Sequence, residues 1–255
     1  MLTIHINENW LVFCVFSDDK LYSINKVGFL EKKSESFILK SIKKFLKTYS
    51  KNSNSPDLIK LIYYNNQSSL VPKELFDEKN SLNYLKYNNK INFDDFAAND
   101  SLINDEIINV YIPYVKINNY IFEKFNSFKY YHYSTLLIEE FRKRINSSFN
   151  ELVFLNINDK FIDLIYFKKN KLNFYNSFNY KSNEDILYYL LFSLDQLSLD
   201  KEKKLISCYG KITLDSELYE LLYSYIKNIE IQESKFSDND EYNNLINSNF
   251  LLNIN

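Results

Sequence analysis

Apolar and polar positions alternate in short runs from the start of the chain: Leu2 to Ile6, Trp10 to Phe16 and Lys20 to Phe29, separated by Asn7-Glu8-Asn9 and Ser17-Asp18-Asp19. Turn-forming Asn and Asp between β-branched and aromatic runs predict a three-stranded antiparallel meander. The middle run is apolar on both alternating sets, Trp10, Val12, Cys14 and Phe16 on one and Leu11, Phe13 and Val15 on the other, so both of its faces must be covered. The period then lengthens. Phe37, Ile38, Ile42, Phe45, Leu46 and Tyr49 recur at helical spacing after a cap at Ser34 or Ser36, with Lys40, Lys43, Lys44 and Lys47 on a solvated face. Leu58 to Tyr64, apolar on both faces, reads as a central strand.

The middle of the chain is less regular. Val71 to Phe76 predicts a short helix with Pro72 in its first turn, where the missing N–H costs nothing, and Ser81 to Tyr87 continues helically. Ile91 to Asp105 reads as irregular with an edge strand. Glu106 to Ile112 is a strand stopped by Pro113, Asn118 to Phe125 a helix, Phe128 to Tyr133 a strand holding His132 half-buried, and Ser134 the cap of a helix over 135–145. A second meander follows: Glu151 to Asn156, Lys160 to Phe167 and Lys171 to Phe178. Ser182, with Asp185 three residues on, caps a helix from Asn183 to about Leu197 as a carboxylate variant of the capping box. Strand Lys204 to Tyr209, the stretch Thr213 to Tyr219, strand Ile229 to Gln232 and a closing segment, Tyr242 to Ile254, complete the chain.

The second meander repeats the first. Trp10 aligns with Phe161, Phe13 with Leu164, Phe16 with Phe167 and Lys20 with Lys171 at one offset of 151 (161 minus 10, 171 minus 20). Thr213 to Tyr219 echoes the stretch ending in Val71 to Phe76 at a shorter offset, 143 (217 minus 74). An internal duplication of β-β-β-α-β-α-β is expected, with a first lobe over 1–146 carrying an inserted segment and a second over 147–255. This order of elements resembles the two-lobed proteins of the ribonuclease-H-like, actin-like ATPase superfamily, and the resemblance implies an α/β architecture of duplicated ribonuclease-H-like lobes.

Composition narrows the partners. The 255 residues include 22 Tyr and 21 Phe but only 2 Gly and 3 Pro. Together with abundant Asn, Lys and Ile, this is the signature of A/T-rich coding, so the aromatic excess is poor evidence for a binding surface. A net charge of -2 gives no basic field to hold a phosphate backbone. Nucleic acid is not an expected partner. The longest apolar run, Trp10 to Phe16, is too short to span a bilayer, and the first residues carry no basic and apolar leader pattern, which predicts a cytoplasmic protein. Cys14 and Cys208 lie inside apolar runs and read as buried, reduced thiols.

Five phrases narrow the resemblance further: Leu70 to Asp77, Asn109 to Val115, His132 to Thr135, Tyr175 to Phe178 and Asn183 to Asp185. In this order they are similar to a bacterial family described as domain of unknown function 3822. The family implies a fold and no activity.

The actin-like resemblance supplies the chemical question. Proteins of that superfamily hold nucleotide phosphates in the hairpin turns of both lobes, where Gly lets backbone N–H groups approach, and adenosine at a Gly-rich turn in the second lobe. Here the turns read Ile6-Asn7-Glu8-Asn9-Trp10 and Ile157-Asn158-Asp159-Lys160-Phe161, without Gly, and the third place holds one Gly in Cys208-Tyr209-Gly210-Lys211. Cβ atoms and restricted φ disfavour close approach to phosphate. Asn7, Asn158, Asp159, Gly210 and Lys211 are the candidate residues of an interlobe cleft. The first strands carry no carboxylate for a two-metal nuclease, and Asp163 stands on a central strand where the first copy has Val12. His5 and His132 have no neighbours at metal spacing, and no nucleophile elbow, P-loop or dinucleotide fingerprint exists.

The sequence therefore predicts a non-catalytic protein of actin-like fold, a scaffold or adaptor for another protein, without cofactor, metal or catalytic residues. The alternatives are a degenerate nucleotide binder using the cleft, disfavoured by the missing glycines, and an accessory factor in RNA or ribosome maturation, which the charge does not support.

Overall fold

The computed structural model of the protein describes residues 1–17, 20–52, 55–86, 91, 95–102, 106–145 and 151–232. The predicted segment Tyr242 to Ile254 and the turn residues 18 and 19 lie outside the described residues. The described residues form two compact units, Met1–Leu137 and the described residues between 138 and 232.

In the first unit, β1 (Leu2–Asn7), β2 (Trp10–Ser17) and β3 (Lys20–Gly28) form the meander, followed by α1 (Glu35–Asn52) and β4 (Ile59–Tyr63). An inserted segment holds β5 (Ser68–Pro72), the short α2 (Ser81–Leu85), β6 (Ala98–Ser101) and β7 (Ile107–Tyr111). The unit then continues through α3 (Val115–Phe125) and β8 (Lys129–His132), and α4 (Tyr133–Lys143) carries the chain across the division between the units. The main sheet runs β3-β2-β1-β4-β8, with β4 parallel to β1 and β8 parallel to β4. One face, built from Ile4, Ile6, Leu11, Phe13, Leu61 and Tyr63, buries the apolar stripes of α1 and α3. The insert has its own three-stranded sheet, β5-β7-β6, and a small core of Val71, Leu85, Ile108, Val110 and Ile112.

The second unit repeats the main order: β9 (Glu151–Ile157), β10 (Phe161–Lys168), β11 (Lys171–Asn179), α5 (Asn183–Gln196), β12 (Ile206–Gly210), α6 (Glu217–Tyr225) and β13 (Ile229–Ile231), in a sheet β11-β10-β9-β12-β13. Its register repeats as well. Leu2 faces Val15 as Val153 faces Tyr166, each 151 residues on (153 minus 2, 166 minus 15). Each meander also slips register at the same place, between Val15 and Phe16 and between Tyr166 and Phe167. Lys169 and Asn170 turn the second hairpin with positive φ, 50° and 60°, as a type I′ turn requires. One face of this sheet packs Phe154 against Phe141 of α4, rings stacked at 4.6 Å, with Tyr209 beside them at 4.7 Å from Phe141.

Four expectations are corrected. Val71 and Pro72, expected to open a helix, belong to a strand, β5, because they pair with Ile108 and Ile107 of β7; two 3-10 turns, Lys73–Leu75 and Glu78–Asn80, follow. The echo between Val71 to Phe76 and Thr213 to Tyr219 does not hold, since α6 leads into β13 as α3 leads into β8, and α3 is its counterpart. The helix after β8 starts at Tyr133 with no intervening loop, so Ser134 sits inside its first turn. His132 is fully buried. In addition α3 begins earlier than the periodicity suggests, because Glu35 of α1 accepts hydrogen bonds from Lys116 N at 2.6 Å and Ile117 N at 3.3 Å and so caps the helix from 81 residues away. The Ser182 and Asp185 capping box forms with both of its reciprocal bonds.

Candidate functional site

The first hairpin turn is closed by its own side chain. Asn7, the last residue of β1, accepts from Asn9 N at 2.9 Å on its Oδ1, an Asx turn, and donates from Nδ2 to the Tyr64 carbonyl at 2.7 Å. The Glu8 carboxylate pairs with Lys32, and the Glu8 and Asn9 carbonyls accept from Lys33 N and Phe29 N.

The second unit brings the other four candidates together at the ends of β9 and β12. Asn158 donates its backbone N–H to Phe161 O at 2.9 Å and its Nδ2 to Asp163 at 3.1 Å, while its carbonyl accepts from the Tyr180 hydroxyl at 2.5 Å. Asp159 forms an ion pair with Lys211. Lys211 N donates to Ile157 O at 2.9 Å. Gly210 has φ +88°, and a Cβ built there would lie 2.1 Å from Ile157 O. The glycine is required by the closeness of two strands of the protein itself.

A phosphate cradle needs free backbone N–H groups and uncompensated positive charge. In these turns the N–H groups of Asn9, Asn158 and Lys211 are engaged, and in the second unit the Lys211 ammonium faces Asp159.

Two buried polar networks escaped sequence reasoning. In the first unit the Asp100 carboxylate accepts from His132 N at 2.9 Å, Thr135 Oγ1 at 2.8 Å and Tyr111 OH at 3.0 Å. Burial pushes its pKa up to about 6, against the pull of those three donors. His132 Nε2 lies 2.9 Å from the Asn65 carbonyl and so carries the proton, which leaves Nδ1 to accept from Ser134 Oγ at 2.7 Å. Burial lowers the pKa of His132 to about 3. Asn109 donates to Ser134 Oγ and Thr135 Oγ1, both at 2.9 Å, and its Oδ1 has no hydrogen-bond partner among the described residues. Ser134 beside a histidine has the form of a nucleophile and base, but both side chains are wholly buried. The network ties β6 and β7 of the insert to β8 and α4.

In the second unit Asp163 is fully buried. Its Oδ2 accepts from Asn156 and Asn158, each at 3.1 Å, and its Oδ1 from Tyr175 OH at 3.2 Å. His5 is buried between Thr3 and Tyr64, with its pKa lowered to about 3. Burial likewise pushes the free thiols of Cys14 and Cys208 up to about 12. Among the described residues no three His, Cys, Asp or Glu side chains gather as a metal site, and no helix is long and apolar enough to cross a membrane. A surface cavity of about 580 Å³ lies at the other end of the second sheet from Gly210, where Lys168 and Lys204 both pair with Glu151.

The family described as protein of unknown function (DUF3822) matches residues 1–229. This chain belongs to that family. The DUF3822 chain is similar in structure to a Bacteroides thetaiotaomicron protein with actin-like ATPase fold and unknown function, at 19% identity and TM-score 0.76, covering 100% of this chain and 95% of that one. It also resembles a chain of the PilM-PilN type IV pilus biogenesis complex (12% identity, TM-score 0.60, 99% and 96% covered) and the ethanolamine utilization protein EutJ from Carboxydothermus hydrogenoformans (5%, 0.53, 99% and 88%). No curated protein matches the chain. At these identities the likenesses establish the fold, an actin-like ATPase fold, and leave the chemistry to the residues themselves.

Proposed function

We propose that this DUF3822 protein is a non-catalytic, cytoplasmic scaffold or adaptor that engages another protein and hydrolyses no nucleotide. One observation carries the reading: at the second-lobe turn where the fold's adenosine contact would be made, the space beside Gly210 is taken by the Ile157 carbonyl, and the Lys211 charge is taken by Asp159 of the neighbouring hairpin turn. The neighbouring structure solved as the PilM-PilN complex supports a protein partner for the fold. The same reading takes the two units as copies of one ancestral unit, supported by their shared strand order and shared register slip.

The test is a thermal-shift series with ATP, ADP and GTP, each with Mg²⁺. A ligand at about 100 times its dissociation constant stabilises by roughly 2.7 kcal/mol. No change in melting temperature at millimolar nucleotide is expected. A clear rise with one nucleotide overturns the reading and makes the protein a degenerate nucleotide binder. Affinity purification of the tagged chain from its own cells is then expected to return one stoichiometric protein partner, and recovery of the chain with RNA instead would favour the maturation-factor reading.

A further inference from the structure

Two helices that follow the meanders in their respective units carry opposite exposed stripes. On α5 the outward line is Glu184, Tyr188, Phe192 and Asp195, at steps of four, four and three residues. Tyr188 and Phe192 are 61% and 47% exposed, and their rings stack at 5.9 Å. On α1 the outward line is Phe37, Lys40, Lys44 and Lys47, and Phe37 is 44% exposed.

The charge segregation is complete on the acidic side. Neither α5 nor its neighbour α6 contains a Lys or Arg, while together they hold Glu184, Asp185, Asp195, Glu217 and Glu220. Four of these lie in first turns, where the helix dipole favours them. Asp195 lies in the last turn of α5, where the dipole opposes it and no basic residue offsets it. Asp185 is consumed by the capping box. No described cation pairs with Glu184 or Asp195, and no described carboxylate pairs with Lys40, Lys44 or Lys47.

We propose that the α5 stripe of one copy docks the α1 stripe of a second copy, in a heterologous head-to-tail contact. The lengths agree: 184 to 195 spans roughly 16 Å of helix and 37 to 47 roughly 15 Å at about 1.5 Å per residue. Lys44 lies centrally and can sit over the Tyr188 and Phe192 rings as a cation–π contact, while Lys40 and Lys47 reach the flanking carboxylates. Charge complementarity sets the pairing and its orientation, and the aromatic pair supplies the apolar area. Each copy offers both stripes, so the contact is not self-complementary and propagates unless it closes into a ring. The inference does not depend on the adaptor reading or on nucleotide.

The experiment uses the full chain in sedimentation velocity over a range of protein and salt concentrations, with two charge-reversal variants. One is Lys40→Glu/Lys44→Glu/Lys47→Glu and the other Glu184→Lys/Asp195→Lys, each checked for folding by circular dichroism. Wild type is expected to gain mass with concentration at low salt and to lose that gain as the screening length falls from about 30 Å at 0.01 M to about 3 Å at 1 M. Each variant alone has like charges on both stripes and is expected to stay monomeric, and an equimolar mixture of the two is expected to assemble again. Wild type that is monomeric at every salt concentration overturns the proposal. So does assembly of either variant alone to the wild-type extent, which would place the contact elsewhere. Wild type that stays monomeric but binds phosphatidylserine vesicles through the Lys stripe also overturns it, in favour of an anionic membrane as the occupant of α1.

Discussion

Gly210 and Ile157 approach so closely that a methyl group on Gly210 would stand 2.1 Å from the Ile157 carbonyl oxygen, and Gly210 holds φ at +88°. The contact lies between the ends of two parallel strands, β12 and β9, whose pairing ends at these residues. Gly210→Ala is therefore expected to destabilise the chain by about 3 kcal/mol, combining left-handed strain with a backbone clash. Urea unfolding measures it. Gly28→Ala is the control: a Cβ there meets nothing within 4 Å, and a change within about 0.5 kcal/mol is expected.

Asp163 accepts from two amides and a phenol in a site without solvent. Asp163→Ala leaves two buried amides and the half-buried Tyr175 hydroxyl without this acceptor and is expected to cost about 3 kcal/mol. Asp163→Asn keeps the volume and one acceptor, and should cost clearly less. Equal losses for the two variants would show that the hydrogen bonds contribute little.

The pH dependence of stability has a definite sign. His5 and His132 fall from an ordinary value of 6.5 to about 3 on folding, so the stability they contribute is present above about pH 6.5 and lost as pH falls. Asp100 rises from 3.8 to about 6, so its contribution is present below pH 3.8 and lost as pH rises through 6. Around pH 5 the unfolded chain holds about two histidine protons and the folded chain about one carboxyl proton, a difference of about one bound proton. These three groups then lower stability on acidification by roughly 1.4 kcal/mol per pH unit. His132→Gln removes one of the two histidine protons, and its unfolding free energy is expected to vary less with pH than that of wild type by about 1.4 kcal/mol per unit. Parallel pH profiles would refute a neutral, buried His132.

Phe141 of α4 stacks on Phe154 and touches Tyr209, and is fully buried. Phe141→Ala is expected to cost about 4 kcal/mol through lost burial and a residual cavity. Phe141→Leu should recover more than half of that, as a fluorescence-monitored unfolding series would show.

Much of the fold was legible because it rests on local patterning. Alternation with Asn and Asp turns marked both meanders, helical spacing marked α1 and α5, and the offset of 151 linked the meanders before any pairing was known. Where neighbours in space are distant in sequence, the pattern fell silent or misled. Val71 passes for a helix start because the partner that makes it a strand, Ile108 of β7, lies 37 residues further on (108 minus 71). The start of α3 depends on Glu35 in another helix.

The candidate site divides in the same way. Composition alone showed that the hairpin turns lack glycine, since that is a property of residues in a row. Only the tertiary structure decided that Gly210 serves strand closure, that Lys211 is held by Asp159, and that Asp100, Asn109, His132 and Thr135 form one network. Those facts are distances between backbone and side-chain atoms brought together by the sheet order, and a polar residue's role is set by which partners burial leaves it.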